Sequence, residues 1–207
     1  MSRCGIIGGA DIHNYPLLRT LLREDDFLVC CDSGLKHREG LGRAPDLIVG
    51  DFDSHENPRL DIETMVLPCE KDDTDTVYAV REAIRRGFCD FLLLGVVGAR
   101  LDHTLGNVSI LLDLDTRGLR GRIVDDYSEM EVVSAAPVRV PDEWAFFSLL
   151  NVSGTARGIR IRGAKYPLTD GEITCDYQYG VSNEVLPSQC AEISVQEGRL
   201  LLVKIRR

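Results

Sequence analysis

Up to about residue 125 the chain alternates strand-like with helix-like stretches, and this alternation constrains the fold more than any other feature. The strand-like stretches are short apolar runs, such as CGIIGG, FLVCC, DLIVG and FLLLGVVG. The clearest helical stretch is 74–86, where Val77, Val80 and Ile84 share one face. A second long helix is predicted over 105–114. Such alternation is typical of a mostly parallel sheet covered by helices.

After about Glu129 the helical periodicity ends. Short strand-like runs follow, separated by Gly, Pro, Asn and Asp: EVVSA, VRVP, WAFFSLL, ARGIRIRG, AEISVQEG and RLLLVKI. These runs predict an all-β, sandwich-like domain. We therefore predict an α/β domain with a mostly parallel sheet over 1–127 and an all-β domain over 128–207. A domain as small as the second is marginally stable alone, so we expect it to pack on another surface.

Charge and hydropathy exclude several functional classes. Lys and Arg number 24 against 33 Asp and Glu, which leaves a net charge of -9. This charge argues against nucleic acid as a partner, because binding a duplex requires basic residues that neutralise phosphates. A nucleotide is still possible, since a metal ion can supply positive charge. No apolar run approaches the ~20 residues of a membrane span, so no membrane association is expected.

The cysteines and the N-terminus indicate the compartment. The seven cysteines form no CxxC pair, and several lie in apolar runs. This pattern is typical of reduced, partly buried thiols. The first residues lack the apolar core and cleavage site of a signal peptide. We therefore predict a cytoplasmic protein without structural zinc.

Aspartates follow four successive strand-like runs. Asp32 follows FLVCC, Asp51 and Asp53 follow DLIVG, Asp75 follows MVLP, and Asp102 follows FLLLGVVGAR. A single aspartate at such a junction is most often a helix cap. The carboxyl ends of parallel strands, however, meet at one sheet edge, where ligands bind. Four junctions together predict a cluster of carboxylates.

Grouped carboxylates indicate a divalent cation. Their mutual repulsion is costly unless a cation lies between them. Oxygen ligands together with substrate phosphates suit Mg²⁺. In an extended backbone, residues two apart point to the same side, so Asp51 and Asp53 would hold one ion together.

Neighbouring residues can complete a phosphate site. Lys71 and Arg100 can each hold a phosphoryl oxygen. A helix that begins near Thr74 would direct its N–H groups to the same edge, and Gly34 permits close backbone approach. His103 has two interpretations: a general base, or more commonly a hydrogen-bonded residue at a helix start.

Seven segments also match a known family in order and spacing. They are CDSG, PDLIVGDFDS, KDDTDT, GxxGARLDH, FFSLL, KYPL and GVSNE, and the resemblance around them covers the chain from about residue 5 to residue 205. By these segments the chain resembles the thiamine pyrophosphokinases. The resemblance implies a homodimer that transfers a diphosphoryl group from ATP to thiamine, with Mg²⁺ as cofactor. It also implies that 1–127 is the catalytic, ATP-binding domain and 128–207 the thiamine-binding β-sandwich.

The resemblance implies roles for single residues. Metal binding and catalysis fall to Asp51, Asp53 and Asp75, with Asp102 as a further catalytic residue. On the ATP side the resemblance implies Asp32 and Arg100, and we predict that Gly34, Lys71, Asp73, Thr74 and His103 lie there with them. The thiamine side, expected where one subunit meets the other, comprises Tyr166, Ser182 and Asn183.

Three questions stay open at this point. The hydroxyl proton of thiamine can pass to Asp75 or to Asp102, or positioning alone can suffice. A non-catalytic sensor of nucleotide or thiamine would use the same fold. A magnesium-dependent phosphohydrolase would also use acidic strand ends.

Overall fold

The computed structural model describes residues 3–52 and 60–207 and divides into two compact units, Met1–Asp126 and Tyr127–Arg207. The elements of the first unit are β1 (Cys4–Ile7), α1 (Tyr15–Leu21), β2 (Phe27–Cys31), a 3₁₀ helix (Asp32–His37), α2 (Arg38–Leu41), β3 (Leu47–Gly50), β4 (Glu63–Val66), α3 (Asp75–Arg85), β5 (Asp90–Leu94), α4 (Leu101–Thr116) and β6 (Arg120–Val124).

The strands of the first unit form a parallel sheet in the order β4-β3-β2-β1-β5-β6. The chain builds outward from β1 to β4 in one direction and then returns to add β5 and β6 on the other side. The order therefore reverses between β1 and β5. In open α/β sheets, ligands bind at the carboxyl ends of the strands beside such a reversal.

Helices cover both faces of this sheet. Ile6 and Ile7 are adjacent in β1 and point to opposite faces, and both are almost fully buried. Leu18 of α1 and Leu41 of α2 pack into one core with Ile7. Helix α3 contacts β1, β2 and β3, and it also contacts α4. Burial on both faces explains why these strands are almost continuously apolar.

The second unit contains only strands among its regular elements: β7 (Ser128–Val133), β8 (Val138–Pro141), β9 (Phe146–Leu150), β10 (Thr155–Arg162), β11 (Leu168–Thr174), β12 (Cys190–Ser194) and β13 (Leu200–Ile205). Strand β13 pairs antiparallel with β7 and β9, while β11, β10, β12 and β8 form a second antiparallel sheet. Phe147 and Leu200 from one sheet share a core with Ile159 and Ile193 from the other. The unit is thus a sandwich.

The predicted fold class is confirmed, and the differences lie in single elements. Helix α3 matches the predicted 74–86 to within a residue at each end. Helix α4 begins at Leu101, four residues before the expected start at Leu105. Strand β11 was not predicted, because Asp170 and Gly171 in its middle are typical turn residues; Asp170 has φ +56°.

The seven cysteines all lie in the described residues and none is in a disulfide. Burial raises the pKa of the Cys4 and Cys30 thiols to about 12, so both remain protonated. No helix within residues 3–52 and 60–207 is long and apolar enough to cross a membrane.

Candidate active site

A cavity of about 620 Å³ opens at the carboxyl ends of the strands in the first unit. Its wall includes Gly8 after β1, Asp32 after β2, Asp51 after β3 and Gly95 after β5. These positions flank the reversal between β1 and β5. Chain topology, rather than any one motif, therefore brings these residues together.

Glycines allow the strand ends to approach each other. A Cβ on Gly8 would lie 2.5 Å from the Gly95 carbonyl oxygen, and Gly95 has φ +63°. A Cβ on Gly50 would lie 2.9 Å from the Cβ of Asp32. Larger residues at Gly8 and Gly50 would push neighbouring strand ends apart. The glycine before Asp51 thus lets Asp32 and Asp51 lie side by side.

Three carboxylates converge in this cavity. Asp32, Asp51 and Asp75 each offer an oxygen, and these oxygens all lie within 4.8 Å of one another. Asp32 has φ +30°, a conformation that is rare for a residue with a side chain. Backbone strain of this kind often accompanies functional sites, where the surrounding structure holds it.

Lys71 lies between two of these carboxylates. Its ammonium contacts the Oδ2 atom of Asp51 and lies 3.1 Å from the Oδ1 atom of Asp75. The Lys71 side chain is only 9% exposed and that of Asp51 only 8%. Burial, the largest single influence, lowers the pKa of Lys71, but the hydrogen bonds and charges of Asp51 and Asp75 together raise it above its ordinary value. Lys71 is therefore protonated here.

Asp53, the third predicted metal ligand, lies outside the described residues. The expectation that it shares a side with Asp51 required an extended backbone between them. Phe52 instead has φ +56°, so the strand alternation does not continue past Asp51. The described group contains Asp32, Asp51 and Asp75.

The N-terminus of α3 forms another part of the wall. Thr74 caps this helix, and its hydroxyl accepts a hydrogen bond from the Val77 N–H at 3.4 Å. Asp75 is the first helical residue, which places its carboxylate at the positive end of the helix dipole. Asp73 also lines the cavity and forms an ion pair with Arg81. The KDDTD segment is therefore a helix start as well as a source of ligands.

The N-terminus of α4 brings Arg100 and His103 to the cavity. Asp102 instead accepts two hydrogen bonds from Arg100, at 3.0 and 2.7 Å, with both side chains largely exposed. This pairing holds the pKa of the Asp102 carboxyl well below its usual range. Asp102 is therefore ionised and orients Arg100.

Of the residues predicted for the catalytic and ATP sides that the structure describes, Asp102 and Gly34 are not among those lining the cavity. A Cβ on Gly34 would lie 2.2 Å from the Ile7 carbonyl oxygen, so the glycine serves close packing of the 3₁₀ helix on β1. Asn107, which sequence analysis missed, does line the cavity and donates to the Val96 carbonyl at 2.8 Å. Its signal was an amide on the face of α4 that also carries Ile110 and Leu111.

In the second unit, Asn183 is buried and bonded to its own fold. Its Oδ1 atom accepts hydrogen bonds from the N–H groups of Tyr166 and Glu184, at 3.0 and 2.9 Å. Its Nδ2 atom donates to the Tyr166 carbonyl at 2.8 Å. The Asn183 backbone exchanges two hydrogen bonds with Phe147. Asn183 thus anchors the segment that carries Tyr166.

Tyr166 and Ser182 are exposed. The Tyr166 side chain is 59% exposed, and the Lys165 ammonium lies 5.6 Å from its ring centroid. Ser182 has φ +58° and donates its N–H to the Ser148 hydroxyl at 3.0 Å. The three predicted thiamine-side residues are therefore neighbours, but only Tyr166 and Ser182 are exposed.

Comparison with known protein families identifies the family to which this chain belongs. The model of the catalytic domain of thiamin pyrophosphokinase matches residues 18–122, slightly more than half of the chain. The chain belongs to the thiamin pyrophosphokinase family. The model of the vitamin B1 binding domain of the same family matches residues 138–200, within the β-sandwich unit. The recognised segments of the sequence thus belong to this family.

Individual relatives of this thiamin pyrophosphokinase family member agree over the whole chain. Thiamine pyrophosphokinase of Bacillus subtilis (strain 168) is 26% identical over 99% of each chain. The crystal structure of thiamin pyrophosphokinase from Geobacillus thermodenitrificans is 28% identical, has a TM-score of 0.84, and is matched over 100% of this chain and 98% of its own. Yeast thiamin pyrophosphokinase shares the fold at 14% identity and a TM-score of 0.79, over 99% and 86%.

Proposed function

We propose that the protein is a thiamine diphosphokinase, which transfers a diphosphoryl group from ATP to the hydroxyl oxygen of thiamine and releases AMP. The observation that carries this proposal is the convergence of Asp32, Asp51 and Asp75 with Lys71 in one cavity of a family member. The named relatives share its full length.

The chain supplies positive groups for the phosphates. The cavity brings together the ammonium of Lys71, the guanidinium of Arg100 and the N-terminus of α3. Asp102 orients Arg100 through two hydrogen bonds. Phosphoryl transfer depends mainly on in-line positioning and on neutralising phosphate charge, which these groups supply. We place ATP in this cavity, with Asp73, Thr74 and His103 beside it.

The carboxylates present fit Mg²⁺. This ion binds oxygen at about 2.0–2.1 Å, so ligands on opposite sides of it lie about 4.2 Å apart. The three carboxylate oxygens, within 4.8 Å of one another, are close to that spacing. Asp32, Asp51 and Asp75 would hold the ion, and Asp53 is proposed to join them. The bound ion would neutralise charge on the phosphates.

The acceptor of the thiamine hydroxyl proton is proposed to be Asp75. Asp102 is a poor base, because its pairing with Arg100 lowers its pKa. Asp75 lines the cavity, whereas Asp102 faces solvent. Positioning alone is the alternative, in which no carboxylate takes the proton in the rate-limiting step.

Thiamine is proposed to bind beside Tyr166 and Ser182, with Asn183 holding the Tyr166 segment. An exposed aromatic ring can stack on a heterocycle, and a hydroxyl can bond to its polar edge. The same unit exposes Tyr177 and Val181. We propose that a second copy of the chain covers this surface and completes the thiamine site.

One assay separates this function from its rivals. Purified protein is incubated with ATP, Mg²⁺ and thiamine, and products are separated by chromatography. We expect AMP and thiamine diphosphate in equal amounts, and no AMP when thiamine is omitted. ADP or free phosphate as the main product would indicate a phosphohydrolase or another kinase. Binding without any turnover would indicate a sensor.

Light scattering tests the dimer. We expect a mass of twice the chain's 23.0 kDa. A monomer that remains fully active at low concentration would disprove the dimer but would leave the proposed reaction standing. We also propose a cytoplasmic location, because all seven cysteines are free thiols, as in reducing compartments.

A further inference from the structure

The ammonium of Lys71 lies between two carboxylates of the acidic group. It bridges Asp51 and Asp75, two of the three carboxylates whose oxygens lie within 4.8 Å of one another. The side chains of Lys71 and Asp51 are more than nine-tenths buried, and that of Asp75 is 21% exposed. This contact is therefore an internal ion pair of the site rather than a surface salt bridge.

The position of this ammonium conflicts with occupation of the site by a metal. A divalent ion would use oxygens of Asp51 and Asp75, which Lys71 now contacts. Two cations on the same buried oxygens would lie a few ångströms apart and repel strongly, since screening by water is weak there. Without either cation, three neighbouring carboxylates would repel one another. One cation at a time is the favourable arrangement.

Lys71 is also able to move away. It lies in the segment between β4, which ends at Val66, and α3, which begins at Asp75. A lysine side chain is a flexible four-carbon stem that ends in a compact charge. Phosphates bound in the cavity would offer that charge a new partner, because Lys71 already lines the cavity wall.

We propose that Lys71 is an exchangeable internal counter-ion. In the metal-free protein it neutralises Asp51 and Asp75, and when a divalent cation binds it leaves them for a phosphoryl oxygen of the nucleotide. This inference rests on the metal site of the proposed function. It predicts that the metal-free protein binds divalent cations weakly by itself and more tightly once nucleotide phosphates accept the lysine.

The test is a titration with Mn²⁺ in the absence of nucleotide, followed by electron paramagnetic resonance of the free ion. Lys71→Met removes the charge and keeps most of the volume. We expect it to bind Mn²⁺ about tenfold more tightly than the wild type, a difference of about 1.4 kcal/mol. Lys71→Arg retains a cation and is expected to bind near the wild-type level.

Lys36→Met is the matched control. Lys36 also pairs with an aspartate, Asp11, but both side chains are exposed. Its removal changes net charge by the same amount outside the carboxylate group. We expect its Mn²⁺ affinity to stay within about twofold of the wild type, because exposed charges are well screened.

Thermal unfolding gives a second readout. In EDTA, Lys71→Met is expected to melt below the wild type, and Mg²⁺ is expected to raise its melting temperature by more than it raises that of the wild type. If Lys71→Met does not fold without metal, Lys71→Gln replaces it, since its amide can still donate one hydrogen bond.

Unchanged or weaker Mn²⁺ binding by the Lys71→Met and Lys71→Gln variants would overturn the proposal, and so would undetectable binding by both. The assay for AMP separates this failure from failure of the proposed function. Wild-type AMP formation with no gain in Mn²⁺ affinity would refute only the exchange. A gain in affinity without AMP formation by the wild type would refute only the kinase.

Discussion

The acidic group of the first unit and the Asn183 segment of the second unit both carry family motifs, yet their side chains are used differently. Asp32, Asp51 and Asp75 place three carboxylates close together at a cavity wall, and Lys71 contacts two of them, Asp51 and Asp75. Both the oxygen and the nitrogen of the Asn183 amide form hydrogen bonds with the backbone of Tyr166 and Glu184.

This difference separates side chains that bind a ligand from side chains that position other residues. A site with excess charge of one sign favours binding of the opposite charge. A buried amide with its bonds made inside the fold has little left to offer a ligand. We therefore expect changes in the acidic group to affect turnover first, and changes at Asn183 to affect stability first.

The largest expected effect is that of Asp51→Asn. The change removes one negative charge from the proposed metal site with almost no change in shape. Because metal and phosphate charges must balance there, we expect the rate of AMP formation to fall at least about a hundredfold, while the melting temperature changes little. Chromatographic AMP assays at saturating ATP and thiamine measure it. Asp53→Asn is expected to have the same effect.

Asp113→Asn is the control for Asp51→Asn. Asp113 is also paired with a cation, Arg117, but on the exposed surface of α4. We expect its activity to stay within about twofold of the wild type. If the folded Asp51→Asn variant turns over at a near-normal rate at ordinary Mg²⁺ concentration, the functional role of the acidic group is wrong.

Asn183→Ala tests whether Asn183 positions the Tyr166 segment rather than binding a ligand. The change removes the buried amide that bonds to the backbone groups of Tyr166 and Glu184. We expect the free energy of unfolding to drop by about 2–3 kcal/mol, measured by urea denaturation. We also expect a higher KM for thiamine with little change in that for ATP, because the Tyr166 segment loses its anchor.

The two measurements on Asn183→Ala decide between positioning and direct contact. Loss of stability together with a raised thiamine KM supports positioning. A raised thiamine KM at unchanged stability would mean that the amide itself binds thiamine, and the comparison would fail.

Much of the fold follows from local patterns, and the exceptions have physical causes. Apolar runs and the threonine cap are local signals, which is why α3 was predicted to within a residue. Helix α4 starts earlier than predicted because Asp102 to Thr104 carry no apolar stripe. Strand β11 contains turn residues that pairing with β10 overrides.

The candidate site was predictable only in part. Convergence of Asp32, Asp51 and Asp75 follows from parallel strands that end at one edge. The side-chain partners do not follow, because they depend on local backbone angles and on packing. Phe52 turns the chain with a positive φ, and Asp102 pairs with Arg100, and neither feature has a signature in a single sequence.

Glu82→Gln asks whether a buried charge in the first unit must be functional. The Glu82 side chain is 6% exposed. Hydrogen bonds from Arg85 and, to a smaller extent, from Arg86 lower the pKa of Glu82 to about 2, although burial alone would raise it. Because this value lies below the ordinary 4.5, the ion pairs add stability above about pH 4.5 and lose it as the pH falls toward 2.

We therefore expect Glu82→Gln to lower the free energy of unfolding on the order of 2 kcal/mol at pH 7, and by much less at pH 3. Urea denaturation at both values measures the difference. Its AMP formation at pH 7 is expected to match the wild type. A deficit that does not shrink at low pH would show that packing, rather than charge, is lost.

The smallest effect on stability is expected for substitutions at Ser182 in the second unit. They separate the contribution of the backbone conformation from that of the side chain. Ser182 is exposed with φ +58°, a conformation that glycine adopts without strain. Ser182→Gly relieves that strain but makes the unfolded chain more flexible, so we expect the free energy of unfolding to change by less than about 1 kcal/mol. The same variant loses the hydroxyl that we place beside thiamine. Ser182→Ala loses the hydroxyl and keeps the strain. If both variants raise the KM for thiamine equally, the hydroxyl binds the substrate; if only one does, the backbone conformation of this turn decides the affinity.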